Sequence, residues 1–388
     1  MFSLLFGLPR TVWLLGLVSL FNDATSELIY PLVPLFLASV LLAGPRTLGL
    51  IEGVAEATAS LLKLFSGVLM DQRGHAKGWV AAGYTLAAGS RPLFYLASSW
   101  PMVLLLRFTD RVGKGLRTSP RDALLANAVN ENQRGLAFGL HRTMDNAGAV
   151  VGPLLAAYLL AHGMPLRQVF LWAIIPGLIT LALVLGVKEP PAVLNRKVTP
   201  FSWDVMSFPP VFKRYLLVVA LFTLGNASNM FLLWRARDLG LAEYQVPLLW
   251  ALTSAVAMVL STPLSALSDR LGRSRFLQVG WLVYGLFYLL LGIHGFKTVY
   301  LWPIFAAYGV FLAATEGVEK ALVADLAPPN QTGTAYGWFN LTAGIMLLPA
   351  SLVFGWLWQT VAVSVAFGFS AACALSAVAL LKFWVRLA

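Results

Sequence analysis

Apolar runs of about 20 residues recur along the whole chain, and they limit its possible folds more than any other feature. A helix of that length crosses the hydrocarbon core of a bilayer. Hydrophobic residues make up 59% of the 388 residues and charged residues 12%, whereas soluble domains are closer to one quarter charged. The runs therefore predict an all-α membrane protein with many spans, and they exclude a large soluble domain.

Twelve spans are predicted. They cover residues 11–41, 47–70, 78–98, 101–126, 134–161, 166–187, 212–236, 243–267, 275–294, 298–326, 332–357 and 361–385. The loops after even-numbered spans hold most of the lysines and arginines, which places both termini in the cytoplasm and the chain in the cytoplasmic membrane. This loop bias accounts for the net charge of +11, so no nucleic-acid partner is expected.

The two halves of the chain repeat at an offset of 198 residues. Asp71 then aligns with Asp269, Gly74 with Gly272, and Gly139 with Gly337. The longest polar connection separates six spans from six, which predicts three regions: a bundle at 1–187, a cytoplasmic linker at 188–211 and a second bundle at 212–388. Paired repeats of this kind are typical of transporters with a solute site near the bilayer midplane and alternating access.

Seven charges fall within sixteen residues in the fourth span, in the stretch RFTDRVGKGLRTSPRD at 107–122. At about 100° per residue, the charges before Asp122 fall in a stripe of about 120°. This stripe comprises Arg107, Asp110, Arg111, Lys114, Arg117 and Arg121. A charge in the bilayer core is unfavourable by at least about 2.5 kcal/mol, so the stripe is expected to face water or opposite charges.

Acidic side chains that could balance the stripe lie in the same half. Asp23 and Glu27 are four residues apart, as are Glu52 and Glu56, and the fifth span adds Asp145. Further polar candidates for a solute cavity are Asn22, Tyr30, His141 and Arg142 in the first half, and Asn226, Asn229, Glu316 and Glu319 in the second. Because ionisable groups inside a membrane usually mark solute or proton pathways, these positions are the candidate site.

Two loop sequences carry a resemblance to a known family. DQRGHAK at 71–77 and DRLGRSR at 269–275 resemble the loop signature of the major facilitator superfamily, and Arg107 matches its fourth-span arginine. Gly148, Gly152 and Pro153 resemble the fifth-span signature of its antiporter branches, although Ala156 and Ala157 replace the final glycines.

The resemblance covers the whole chain and implies twelve helices in two pseudo-symmetric six-helix bundles. It also assigns the conformational switch to Asp71, Gly74, Asp269, Arg270, Gly272 and Arg273, with Gly148, Gly152 and Pro153 in the fifth span. Gln72 and His75 depart from the loop signature, which predicts a weaker switch in the first half.

These patterns predict a monomeric secondary transporter that exports a small polar or charged organic solute in exchange for protons, or for sodium. The proton-coupling candidates are Asp23, Glu27, Asp145 and Glu56. No metal, cofactor or enzymatic activity is expected, and the absence of a P-loop motif argues against ATP as the energy source.

Three alternatives stay open at this point. The arginines and lysine of the stripe, with Arg142, could bind an organic anion such as a phosphate or carboxylate. The acids and His141 could instead serve a metal-cation exporter. The chain could also be a receptor that has the fold but does not transport.

Overall fold

The computed structural model describes residues 7–73, 76–130, 133–188, 204–293, 297–328 and 331–385, and within these residues every regular element is helical. In the first half the α-helices are Arg10–Ile29, Leu32–Leu35, Pro45–Arg73, Ala76–Ser90, Trp100–Asn127, Arg134–Ala161, Leu166–Val169 and Ile174–Leu185. In the second half they are Pro210–Gly225, Met230–Asp238, Gln245–Leu271, Arg273–Gly292, Leu301–Leu326, Thr332–Thr360 and Val363–Phe383. The all-α membrane fold predicted from the sequence is confirmed.

Nine helical stretches of the described chain are long and apolar enough to cross a membrane. Three further helical stretches occupy predicted spans but fall outside those nine: Pro45–Arg73, Ala76–Ser90 with Pro92–Leu96, and Trp100–Asn127. The second and fourth spans are rich in charge, and the third is divided into two short helices. The count of twelve membrane spans therefore stays a prediction.

Three spans are broken near polar residues. The first span ends its long helix at Ile29 and resumes after Pro31, and the third span breaks at Arg91 before Pro92. The seventh span is non-helical from Asn226 to Asn229. Proline lacks an N–H donor and ends a helix, which explains the first two breaks. The breaks in the first and seventh spans lie at positions related by the 198-residue offset.

The chain forms two compact units. Unit 1 contains Met1–Phe36, Thr58–Pro200 and Glu243–Ala251, and unit 2 contains Leu37–Ala57, Phe201–Ala242 and Leu252–Ala388. Each unit therefore includes a short segment from the other predicted half. Most of the predicted linker, residues 189–203, lies outside the described residues, so the boundaries at 187 and 212 stay predictions.

Helix packing within the two units follows the same scheme. In unit 1 the first span packs against the fifth and sixth, and the third packs against the fourth and sixth. In unit 2 the seventh packs against the eleventh and twelfth, and the ninth packs against the tenth and twelfth. Each of these four pairings in unit 1 has its counterpart six spans later, which agrees with the internal repeat seen in the sequence.

Candidate transport site

Asp110 is the centre of a buried ion-pair cluster in unit 1. Its Oδ1 atom lies 2.9 Å from Nε of Arg91, and its Oδ2 atom lies 3.2 Å from Nη1 of Arg111 and 3.6 Å from Nη1 of Arg107. All four side chains are at most 4% exposed. A charge placed at this depth requires a partner. Arg107 and Arg111 are therefore balanced by an acid of their own stripe, and that acid also pairs with Arg91 of the third span. Phe108 on the other helix face is exposed.

Arg91 links this cluster to the first span. The break in the third span places its guanidinium 2.9 Å from both the backbone oxygen and Oδ1 of Asn22, and it donates a hydrogen bond to each. Asn22 in turn donates from Nδ2 to Oδ1 of Asp23 over 2.8 Å. A continuous chain of hydrogen bonds thus runs from Asp110 to Asp23. Sequence reasoning left Arg91 out of the site because its partners lie on other spans.

The side chains of Asp23 and Asp145 interact at the contact between the first and fifth spans, where Gly148, three residues after Asp145, packs against Asp23. Asp145 also accepts a hydrogen bond from Ser19 Oγ at 2.5 Å, and its Oδ2 lies 3.5 Å from Nη1 of Arg142. The Arg142 side chain is 53% exposed, whereas that of Asp145 is 18% exposed. Two of the predicted proton-coupling acids, Asp23 and Asp145, therefore lie next to each other.

Gly148 and Gly152 make this close contact of helices possible. A Cβ atom on Gly148 would collide with the carbonyl oxygen of Leu20 and lie 3.1 Å from Cβ of Asp23. A Cβ atom on Gly152 would collide with the Ala24 carbonyl oxygen. Pro153 lies inside the same helix. The fifth-span residues that the family resemblance assigned to switching are thus contact points between two helices.

Glu27 lies further along the first span and accepts a hydrogen bond from the indole Nε1 of Trp250 at 2.8 Å. The Trp250 ring stacks on Tyr30 with centroids 5.3 Å apart, and the Arg107 guanidinium lies 5.8 Å from the Tyr30 centroid. Sequence reasoning missed Trp250, because a lone tryptophan in an apolar run gives no sign of an acidic partner 223 residues away.

The two acids of the second span, Glu52 and Glu56, belong to unit 2. Glu52 is fully buried and accepts a hydrogen bond from Ser228 Oγ at 3.1 Å. Ser228 lies in the non-helical part of the seventh span, and its backbone N–H points to Ser351 Oγ at 3.4 Å. Glu56 is half-buried one turn further on. Glu52 therefore has a polar contact with the broken seventh span that its position in the sequence did not predict.

Three other polar groups of unit 1 are buried with unsatisfied atoms. Within the described part of the chain, Nε and Nη1 of Arg117, the Tyr84 hydroxyl and Nε2 of His141 have no hydrogen-bond partner. The Arg117 guanidinium lies 4.6 Å from the Tyr84 ring centroid. Lys114 is half-buried. Sequence reasoning placed Arg117 on the charged stripe but not among the site residues.

Polar groups in the second half contact aromatic rings. Asn229 accepts a hydrogen bond from the Tyr308 hydroxyl at 2.6 Å, and Glu319 accepts one from Trp281 Nε1 at 3.1 Å. Asn226 is half-buried at the end of the helix Pro210–Gly225. The side chain of Glu316 lies outside the described residues. The predicted second-half cavity residues thus occupy both the break in the seventh span and a nearby aromatic cluster.

Arg273 is the hub of the second-half loop motif. It lies 2.9 Å from Asp269 and 2.6 Å from Asp325, and it donates to the Ala321 carbonyl at 3.1 Å. Gly272 has φ = 91°, a conformation that favours glycine, and Arg270 is exposed. Gly74 and the side chain of Asp71 lie outside the described residues, so the weaker first-half switch stays a prediction.

The described residues contain no group of three or more His, Cys, Asp or Glu side chains that could hold a metal ion. Arginines also surround the buried acids, and a guanidinium has no lone pair to offer a metal. The geometry therefore gives no support to the metal-cation alternative. What it does provide is a set of acids and arginines placed inside a helix bundle.

The chain matches known transporters in sequence and in fold. The sequence profile of the Major Facilitator Superfamily matches residues 15–351 and 215–387. An uncharacterized MFS-type transporter, MJ1317 of Methanocaldococcus jannaschii, is 34% identical over 91% of this chain and 89% of its own length. Multidrug resistance protein MdtH of Salmonella newport is 25% identical over 85% of this chain and 82% of its own.

Solved transporters share the fold at low sequence identity. The nucleoside transporter NupG superposes with a TM-score of 0.80 at 14% identity, covering 96% of this chain and 100% of NupG. A POT family transporter in complex with 5-aminolevulinic acid gives a TM-score of 0.81 at 14% identity, covering 97% of this chain and 96% of its own. Profile, relatives and fold agree with the loop motifs, and the chain belongs to the major facilitator superfamily as a membrane transporter rather than an enzyme.

Proposed function

We propose that this transporter is proton-coupled and exports a small polar or charged organic solute, with Asp23 and Asp145 together carrying the proton. The contact between these two carboxyl groups is the observation that carries the proposal. Two ionised carboxylates in contact repel each other strongly, and sharing one proton removes that repulsion. The pair therefore has a protonated state that is favoured by its own geometry.

The surroundings of the pair suit a site that gains and loses a proton. Asp145 has polar partners in both states, because Ser19 donates to it and Arg142 lies 3.5 Å away. Asp23 is held by the amide of Asn22. Asp110, by contrast, is surrounded by three arginines, which stabilise its ionised form. Asp110 is therefore a structural centre, and the Asp23–Asp145 pair is the proton carrier.

Export is the direction that two observations support. The fifth-span run Gly148–Pro153 resembles the antiporter signature, and the helix contact it forms lies directly beside Asp23. One relative is named as a multidrug resistance protein. We propose the cytoplasmic membrane as the location, with both termini in the cytoplasm, and a monomer as the working form. The solute contacts proposed in the second half are Asn226 and Asn229, because broken spans commonly supply solute ligands in secondary transporters.

Transport of an organic anion is the second candidate, and the number of buried arginines is the observation that favours it. Arg91, Arg107 and Arg111 already share Asp110 within 3.6 Å, which neutralises part of the proposed anion clamp. Arg142 is exposed and faces Asp145. For this reason the proton-coupled exporter ranks first.

Proton flux in energised everted vesicles tests the proposal and does not require the solute to be identified first. A pH-sensitive dye reports proton release as cationic dyes, nucleosides, short peptides and organic phosphates are added in turn. We expect at least one compound to trigger release in vesicles that contain the wild-type protein. Asp23→Asn and Asp145→Asn should abolish this response but retain solute counterflow.

Asp238→Asn is the matched control, since Asp238 pairs with Arg237 at 3.5 Å, is 30% exposed and belongs to unit 2. It should respond like the wild type. Normal proton-driven transport in both Asp23→Asn and Asp145→Asn would contradict the proposal and favour the anion alternative. A complete absence of solute-dependent flux and counterflow across the panel would favour a receptor.

A further inference from the structure

We infer that Arg117 is the charge partner that Asp23 takes when the Asp23–Asp145 pair gives up its proton. This inference rests on the proposed function and adds a positioning residue to it. Arg117 is 4% exposed, and within the described residues its Nε and Nη1 atoms donate to nothing. Buried donors without an acceptor are unfavourable, so a state in which these two atoms have an anionic partner should exist.

The other buried arginines of this region have a carboxylate already. Arg91, Arg107 and Arg111 all lie within 3.6 Å of Asp110. Arg117 instead lies over the ring of Tyr84, which attracts a cation weakly compared with a carboxylate. Among the buried arginines of unit 1 in the described residues, Arg117 is thus the one that lacks a carboxylate contact.

Asp23 is the acid whose position fits Arg117. The charge of Arg117 acts on Asp23 and on Asp110, and Asp110 already has three arginines within 3.6 Å, which leaves Asp23. The other titratable groups that face Asp23 are Glu27 on its own span, Asp145 on the fifth and Arg91 on the third. The sixth-span helix Ile174–Leu185 packs against the first span and carries no titratable side chain.

Close helix packing fixes the origin of the Arg117 side chain. A Cβ atom on Gly83 would lie 2.6 Å from the Gly113 carbonyl oxygen and 2.7 Å from Cβ of Arg117. A Cβ atom on Gly113 would lie 2.5 Å from the Gly83 carbonyl oxygen. The third and fourth spans therefore touch backbone to backbone here. The backbone that carries Arg117 is therefore held in place, and in our proposal only its side chain turns toward Asp23.

Two partners thus alternate for Asp23. With a proton present, its carboxyl group bonds to that of Asp145. When the proton leaves to water, the two carboxylates repel each other, Asp145 keeps Ser19 and Arg142, and Asp23 pairs with Arg117. The exchange changes the charge on the first span and its contact with the fourth and fifth spans, which links proton release to a rearrangement of helices.

Infrared spectroscopy of the purified protein in lipid tests this exchange without a solute. The C=O band of the protonated pair should disappear as pH rises, and Asp23→Asn should remove the wild-type band. Arg117→Gln should move the midpoint to higher pH by about one unit, a tenfold change in proton affinity, because ionised Asp23 loses its partner. Arg117→Lys should give a smaller shift, because it keeps the charge.

Arg111→Gln is the matched control, since Arg111 is equally buried but bonds to Asp110. Its shift should be clearly smaller than that of Arg117→Gln. An unchanged midpoint in Arg117→Gln would overturn the inference. If Asp23→Asn and Asp145→Asn both kept the band, the shared proton itself, and with it the proposed function, would be wrong.

Thermal unfolding provides a second measurement in case Arg117→Gln folds poorly. In a double-mutant cycle of Arg117→Met, which removes the charge and leaves no unsatisfied donor, with Asp23→Asn, we expect coupling at alkaline pH and little at acidic pH, because the ion pair forms only after the proton leaves. Equal coupling at both pH values would contradict the exchange. Inorganic phosphate that stabilises the wild type but not Arg117→Gln would assign Arg117 to an external anion instead.

Discussion

The two halves of the chain pair their spans in the same way but place very different polar groups inside. In the first half, Asp110 forms ion pairs with three arginines, and the side chain of Asp23 interacts with that of Asp145. In the second half, Glu319 accepts a hydrogen bond from an indole and Asn229 accepts one from a phenol. These buried contacts of the first half are thus between full charges, whereas these two contacts of the second half use neutral donors among stacked rings such as Phe222 and Trp281, 4.3 Å apart.

This difference indicates a division of roles on one repeated frame. A network of charges responds to the gain or loss of a proton, because each change leaves an unbalanced charge in a medium that screens poorly. An aromatic cluster with neutral hydrogen bonds responds little. We therefore propose proton sensing for the first half and contact with an organic solute for the second.

Removal of Asp110, the central acid of the first half, should cause the largest loss in the free energy of unfolding. Asp110→Asn leaves three buried arginines without their carboxylate, and the loss of one partner of a buried ion pair lowers the free energy of unfolding by about 3–5 kcal/mol. Glu319→Gln in the second half keeps a side-chain oxygen that can accept the hydrogen bond from Trp281, and it should lower the free energy of unfolding by about 1 kcal/mol. Thermal unfolding in detergent measures both. If both variants lost the same free energy of unfolding, the two halves would not differ in their dependence on buried charge.

A substitution at the helix contact beside Asp23 and Asp145 should lower the free energy of unfolding by nearly as much. Gly148→Ala places a Cβ atom against the Leu20 carbonyl oxygen, and such overpacking lowers the free energy of unfolding by about 1–3 kcal/mol. Gly139 lies on the same helix, and a Cβ atom added to it would meet no other atom within 4 Å. Gly139→Ala should therefore stabilise by up to about 1 kcal/mol through helix propensity. A similar loss in both variants would argue against the close contact at Gly148.

The loop motifs allow a functional comparison of the halves. Asp269 is supported by Arg273, which also binds Asp325, while Gln72 and His75 depart from the signature in the first half. We expect Asp269→Asn to slow solute transport more than Asp71→Asn, with little change in the solute concentration at half-maximal rate. Initial rates in vesicles at matched expression measure this. A larger effect of Asp71→Asn would reverse the predicted order of the two loops.

An exposed ion pair within the charged half should show the smallest effect. Arg142 is 53% exposed and lies 3.5 Å from Asp145, and solvent-exposed pairs contribute at most about 1 kcal/mol. Arg142→Gln should therefore change the free energy of unfolding by less than about 1 kcal/mol. A loss close to that of Asp110→Asn would show that burial is not what separates the two sites.

Local patterns in the sequence were sufficient to predict the helical fold, the approximate positions of the spans and the face of the fourth span that carries the charges. Apolar runs set the spans because a bilayer accepts only segments with satisfied backbone hydrogen bonds. The stripe could be predicted because side chains on a helix repeat every 3.6 residues. Family membership was indicated by the loop motifs and is now shown.

Pairing between spans was decided by the tertiary structure alone. Asp23 meets Asp145, and Glu27 meets Trp250 across 223 residues, and no local pattern links these positions. The sequence also did not separate Arg117, which lacks a carboxylate contact, from Arg107 and Arg111, which share Asp110. The physical reason is that helix periodicity is a property of one segment, whereas the partner of each charge depends on where small residues such as Gly148 let two helices approach.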